Sequence, residues 1–245
     1  MTTTERKRVF LAGATSVIGR PLCRLLVADG WSVVGTSRSA ENIPLLRALG
    51  VEPAIVDVYD EKALIDAVQR AEPTVVIHQL TDLPDALDPS RMADALIRNA
   101  HLREVGTRHL VAAAVAAGVP RLVAQSLAFA YAPGPLPYDE TWPLNVDDPN
   151  SGLSARGVAA LERQVLAGPF TGIVLRYGKF YGPGTGLTQP PAGGPLHVDD
   201  AANAARLAAS RGPTGIYNIA EDDGTVSIGR AAVALGWSPG FRLAH

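Results

Sequence analysis

Residues Arg8 to Gly19 read Arg-Val-Phe-Leu-Ala-Gly-Ala-Thr-Ser-Val-Ile-Gly. Four apolar residues, Val9 to Ala12, end at a glycine. A turn of small residues follows, and Val17 opens an apolar-periodic segment that predicts a helix through Asp29. A strand, a tight turn and a helix N-terminus in that order gather unpaired amide N–H groups and the positive end of a helix dipole at one point, which suits a phosphate. Gly13 permits the sharp turn, and Gly19 lets the helix lie close to the strand. Ser16 stands where the middle glycine of the usual fingerprint would fall.

The same alternation of strand and helix continues along the chain. Further strands are expected at Trp31–Ser37, Pro53–Asp57, Thr74–His78, Arg121–Ser126, Gly172–Arg176 and Ile216–Ile219. Helices are expected at Ile43–Leu49, Glu61–Arg70, Met92–Ala117, Ala155–Leu166, Asp199–Ser210 and Ser227–Leu235. Near-continuous apolar strands between helices predict an α/β fold, a Rossmann-like doubly wound parallel sheet that binds its ligand beyond the carboxyl ends of the strands. Tyr131–Gly152 reads as a surface loop, and Tyr181–Pro195, rich in Gly and Pro, as irregular.

Two hundred and forty-five residues, 47% of them hydrophobic, suffice for one large domain with an ample core. A net charge of −2 offers no electrostatic footprint for nucleic acid or an anionic membrane. No apolar run approaches the ~20 residues of a transmembrane helix. The first residues lack the apolar stretch of a signal peptide, so a cytoplasmic protein is expected. The one cysteine, Cys23, falls on the apolar side of the first helix and reads as a core thiol.

Several segments together resemble the extended short-chain dehydrogenase/reductase superfamily, in its epimerase/dehydratase-like branch. They are the turn from Gly13 to Gly19, Asp57-Val58, Val76-Ile77-His78, Gly106 to Leu110, Leu175 to Gly184, His197 to Asp200 and Gly215 to Ile219. The resemblance implies a nicotinamide dinucleotide. Gly13, Thr15, Ser16, Val17, Ile18 and Gly19 would surround its pyrophosphate, Asp57 and Val58 its adenine, and Gln79, Leu80 and Thr81 its ribose side. Asn99 matches an asparagine common in the family's long helix, or is an exposed helix residue. At the end of the second strand a carboxylate would select NAD(H) and a cation NADP(H). Ser37-Arg38 occupies that place, with Arg20 beside the glycine turn, so Arg38 and NADP(H) are preferred.

The superfamily's chemistry implies a serine and a Tyr-x-x-x-Lys pair. Ser126 matches the serine. The tyrosine and lysine positions fall at Ser154 and Val158, and no Tyr-x-x-x-Lys occurs anywhere in the chain. A valine cannot tune a pKa by charge, and a serine hydroxyl is a far poorer acid than a phenol. Tyr131 and Lys179 are the candidate proton donors that replace them; each has a bland alternative, as a loop anchor and as a solvent-facing cation. Arg176 would neutralise an anionic substrate or hold Asp139 or Glu140. His78 reads as a packed strand residue, and His197 with Asp199 and Asp200 as a helix N-cap and lobe contact rather than a metal site.

The chain between Gly186 and His197 is short, which predicts a reduced C-terminal substrate lobe contributed by about 178–200 and 213–245 within a single domain of 1–245. An open cleft, or one completed by a second subunit, follows and leaves room for a homodimer. The function expected is an atypical NADP(H)-binding reductase or dehydrogenase acting on a small carbonyl or hydroxyl metabolite. The alternative is a non-redox isomerase, dehydratase or cyclase with a vestigial or structural cofactor.

Overall fold

The computed structural model describes residues 7–84 and 88–243. Its centre is one sheet of seven parallel strands: β1 (Arg8–Ala12), β2 (Ser32–Ser37), β3 (Glu52–Ile55), β4 (Val75–His78), β5 (Arg121–Leu127), β6 (Thr171–Tyr177) and β9 (Gly215–Ile219). The order across the sheet is β3-β2-β1-β4-β5-β6-β9, with Phe10 opposite Val34 and Val76. Side chains alternate between two cores, as the pleat demands. Val9 and Leu11 face a cluster shared with α1 (Gly19–Ala28), α7 (Val198–Ala208) and α8 (Gly229–Leu235). Phe10 and Ala12 face the opposite cluster, under α3 (Glu61–Ala71), α5 (Thr107–Ala116) and α6 (Gly152–Leu166). The short helix α2 (Ile43–Ala48) follows β2. Cys23 is buried in the first cluster, and desolvation pushes its thiol up to about 12.

The predicted helix over 92–117 is present but not uniform. α4 (Met92–His101) passes into a π-helical turn, Leu102–Gly106, before α5 begins. The apolar periodicity runs through all three segments, so the wider turn leaves no mark in it.

The stretch read as irregular has that character over residues 182–194, but it is flanked by a pair of short strands that the sequence reading did not mark, β7 (Lys179–Tyr181) and β8 (Pro195–His197), with Phe180 opposite Leu196. Each is three residues long, below what alternation can reveal, and Pro195 is tolerated because it opens its strand. The 131–152 loop is also more constrained than its Pro and Asp content predicts. Tyr131 bridges to Leu144 and Tyr138 to Val226, while Tyr131, Tyr138 and Trp142 stack in sequence with centroids 5.2 and 5.9 Å apart. The indole N–H of Trp142 donates to the Ala132 carbonyl at 2.9 Å.

The sequence 197–200 caps a helix, as its residue types suggest. The His197 ring nitrogen accepts from the Asp199 amide at 3.2 Å and opens α7. Asp200 is fully buried; its carboxylate accepts from the backbone N–H groups of Gly240 and Phe241 and from the Arg242 guanidinium. The 178–200 and 213–243 stretches therefore meet at the start of α7; residues 244–245 lie outside the described residues.

Candidate functional site

Strands β1 and β4 are neighbours, and their connections leave in opposite directions across the sheet. A crevice forms beyond their carboxyl ends, where such sheets bind ligands. The turn after β1 is built against it. Gly13 has φ +92°, and a Cβ there would lie 2.6 Å from the Gln79 carbonyl oxygen. A Cβ on Gly19 would lie 2.0 Å from the Gly13 carbonyl oxygen. Ser16 explains the missing middle glycine: its amide donates to the Gly13 carbonyl at 3.1 Å, and its hydroxyl accepts from the Gly19 amide at 2.9 Å. The side chain thus closes the turn. Thr15, Val17 and Ile18 complete it, and Gly184 from the loop after β7 lies against Val17 and Arg20.

The structure brings the remaining predicted dinucleotide residues to the same edge. Asp57 and Val58 follow β3; the Asp57 carboxylate accepts from the Tyr59 amide, and the Val58 carbonyl is 2.9 Å from His109 Nδ1. Gln79, Leu80 and Thr81 follow β4. Gln79 is buried; its side-chain amide donates to the Tyr177 hydroxyl at 3.2 Å, while its Oε1 is sealed without a partner. Asn99 is buried rather than exposed, and its Oδ1 accepts from the Asp82 amide at 3.0 Å, fixing the chain after β4.

Beside Arg38 lies an open cleft of about 470 Å³, lined by Arg38, Tyr59, Asp82, Ile97, Arg98 and His101. It shares Arg38, Asp82 and Arg98 with a second cleft of about 440 Å³ that adds Ser90, Arg91 and Asp94. Tyr59 and His101 stack at 5.4 Å between ring centroids, giving the groove an aromatic wall, and Arg98 pairs with Asp82 at 3.3 Å. Sequence reasoning missed Tyr59, Arg91 and Arg98, because nothing in a helical pattern marks which exposed arginines converge on a strand end. A flat aromatic wall, and a turn that any side chain would fill, fit the adenosine and diphosphate of a nicotinamide dinucleotide.

The candidate reaction centre is arranged differently from expectation. Ser126 is wholly buried, and its hydroxyl donates to Glu162 of α6 at 2.7 Å. Glu162 also accepts two bonds from Arg176, at 2.8 and 2.7 Å. Arg176 therefore holds Glu162 rather than the carboxylate of Asp139 or Glu140; its one bond to Glu140 goes to the backbone carbonyl at 3.3 Å. Tyr131 lies 4.9 Å beneath the Arg176 guanidinium, and its hydroxyl donates to Asn218 at 2.7 Å. Burial raises the Tyr131 pKa, the nearby Arg176 opposing it. Lys179 is exposed on β7 and donates to the Ala192 carbonyl at 2.9 Å. On α6 the aligned positions hold Ser154 and a fully buried Val158.

His78, at the end of β4, bonds through Nε2 to Thr107 at 3.1 Å and accepts from the Leu80 amide through Nδ1. Desolvation first, then the charge of Arg103, holds its pKa down to about 4. The native protein therefore binds fewer protons here than the unfolded chain, whose histidine titrates near ~6.5. Stability is retained above that value and is lost as pH falls towards about 4. Urea titrations from pH 7 to 4 are expected to show this loss, and His78→Gln to flatten that limb; equal slopes in both proteins would disprove the assignment.

The fold and the turn define a nicotinamide-dinucleotide enzyme of the extended short-chain dehydrogenase/reductase type, and the model of the NAD dependent epimerase/dehydratase family matches residues 9–193. The chain belongs to that family. Among its relatives, a Streptomyces 3-diazoavenalumate denitrifying reductase is 42% identical over 256 residues, covering 96% of this chain and 80% of the relative. A Stigmatella aurantiaca 4-hydroxy-2-methyl-3-oxo-4-farnesyl-3,4-dihydroquinoline-1-oxide ketoreductase is 32% identical over 69% of this chain and 49% of its own. Among solved structures, Bordetella bronchiseptica WbmG in complex with NAD and UDP superposes with TM-score 0.76 at 17% identity, covering 99% of this chain and 92% of that one. Thermotoga maritima UDP-glucose 4-epimerase with UDP-glucose gives 0.74 at 18% identity, covering 95% and 93%. No described helix is long and apolar enough to cross a membrane.

Proposed function

We propose that this chain is an NADP(H)-dependent reductase that delivers hydride to a strongly electrophilic small molecule that carries an anionic group, with a diazonium-bearing carboxylate as the substrate class. The observation that carries this reading is on α6, where Ser154 and Val158 occupy the positions expected for the proton-handling pair and the buried acid, Glu162, is held by Arg176 and Ser126. A carbonyl reduced by hydride needs a proton; a diazonium group does not. One hydride enters, N2 leaves, and the positive charge is cancelled, with no proton drawn from the protein. The diazo carboxylate named for the 42% identical relative, and the loss of nitrogen its name records, have that chemistry.

The reduced nicotinamide, when bound, supplies the hydride. The chain's own residues bind and orient. The turn from Gly13 to Gly19 receives the diphosphate, and Arg38, Arg91 and Arg98 favour an adenosine that carries a 2′-phosphate. Residues 178–200 and 213–243 form the substrate lobe. Incubation with NADPH and 4-diazobenzoate is expected to consume NADPH and yield benzoate. Tyr131→Phe and Lys179→Ala are expected to keep at least a third of the wild-type rate. A fall to background in either variant would assign that residue as proton donor and overturn the reading.

Cofactor choice is tested separately. A charge-assisted bond from Arg38 to the phosphate is worth about 1.5–3 kcal/mol, or roughly 10- to 100-fold in affinity. Arg38→Ser is therefore expected to weaken NADPH binding by at least about tenfold and NADH by less than about threefold, read by fluorescence titration. Equal losses for both cofactors would remove Arg38 from the 2′ position.

A further inference from the structure

Arg103 is 6% exposed, yet no hydrogen bond or ion pair engages its guanidinium among the described residues. It sits in the π-helical turn between α4 and α5, a geometry enriched at functional sites. Its place relative to the crevice follows from the fold. Thr107, four residues further on, bonds His78 at the end of β4. The α4–α5 connection between parallel strands β4 and β5 runs back against the strand direction, so residues before Thr107 lie beyond the strand's end. Arg103 is therefore one turn above His78, on the side of the crevice opposite the glycine turn and α1. The charge of Arg103 reaches His78 and helps keep that ring neutral. Among the described residues, the side-chain atoms both sealed from solvent and unpartnered are Arg8 Nε, Gln79 Oε1 and Gln164 Oε1; the Arg103 nitrogens are not among them and retain contact with solvent.

An arginine buried to this extent normally has a carboxylate, as Arg176 has Glu162. Desolvation alone pushes the Arg103 pKa down to about 10, so at neutral pH it remains a cation without a counter-ion among the described residues. The nearest acidic neighbour in sequence, Glu104, is on the exposed side of the turn.

We infer that Arg103 is an oxyanion-binding residue of the reaction centre, and that the carboxylate of the substrate supplies its missing partner. This rests on the anionic-substrate reading above and extends it by naming the group that selects for charge. A guanidinium held in a rigid helical turn presents a planar fork of donors that matches a carboxylate edge to edge. The cofactor's diphosphate shares that chemistry, but its binding turn lies across the crevice at β1 and α1, so the substrate is the assigned source.

The test is binding of benzoate to the NADP+-loaded protein by calorimetry, with NADP+ affinity measured in parallel. In Arg103→Met, benzoate affinity is expected to fall at least tenfold, while the NADP+ Kd stays within threefold. Arg103→Lys is expected to recover part of the loss. The methionine variant is expected to melt no lower than wild type, because it keeps an apolar stem and removes an unpaired buried charge; a residue with a purely structural role would lower the melting temperature. Unchanged benzoate affinity, no measurable benzoate binding to the wild type, or a matching loss of NADP+ affinity would each overturn the inference. Benzoate binding lost in Arg103→Met, alongside a wild type that fails to turn over 4-diazobenzoate, would leave the anion site standing and reject the substrate reading instead.

Discussion

Gly19→Val abolishes dinucleotide binding, with affinity expected to fall by at least two orders of magnitude. The cause is local and steric. A Cβ at this position would meet the Gly13 carbonyl oxygen at 2.0 Å and the Ala14 carbonyl carbon at 2.8 Å. Both are backbone atoms of the turn proposed to hold the diphosphate, so neither can swing aside as a flexible side chain would. The start of α1 has to move, and the amide groups it presents to the crevice move with it. The same displacement disturbs Ile18, Leu22 and Cys23 in the core, so stability is expected to drop by several kcal/mol, in the range of overpacked interiors. Gly229→Ala is the control: outside its own helix, the nearest atom to an added Cβ is the Ser227 hydroxyl at 4.0 Å, and a change within about 0.5 kcal/mol is expected. Fluorescence titration with NADPH and a thermal melt read both effects. A Gly19→Val protein with wild-type cofactor affinity would remove the turn from the binding site.

Glu162→Ala is expected to cost about 3–5 kcal/mol of stability, the range for removing one partner of a buried ion pair. Glu162 and Arg176 are both buried and joined by two short bonds, and Ser126 donates a third to the same carboxylate. Without Glu162, the guanidinium is left in the interior with the Glu140 carbonyl and the face of the Tyr131 ring as its remaining partners. For a chain of this size each kcal/mol moves the melting temperature by about 2–4 °C, so a fall of roughly 6–20 °C is expected. Glu162→Leu combined with Arg176→Met should recover most of the loss, since an apolar pair of similar volume has no charge to desolvate. A single variant melting within 2 °C of wild type would show that the pair contributes no net stability.

Those two predictions draw on parts of the molecule that differed in how far sequence could reach them. The Gly13–Gly19 turn was legible because its constraints are covalent and local: an apolar strand, a glycine at positive φ and a helix start lie within twelve residues. The parallel sheet was legible for the same reason, repeated strand by strand. The partner of Arg176 was not. Glu162 lies on the buried face of α6, and a glutamate in a helix reads as solvated until the strand beneath it is placed. Arg103 was hidden twice over, by its charge and by a π-helical turn that apolar periodicity does not register. Strands β7 and β8 were hidden by length, their pairing decided by contacts across an intervening loop.

The buried carboxylate of Asp200 has a consequence for how this fold can be recombined. It sits in α7 yet serves backbone donors forty residues downstream, while its own backbone carbonyl accepts from the Trp237 indole. Neither segment is a self-sufficient module. A chimera that imports α7 from a relative while retaining the native 237–243 stretch, or the reverse, separates a charge from the groups that neutralise it. Crossovers that preserve foldability have to transplant both segments as one heritable unit, although the gene carries them apart.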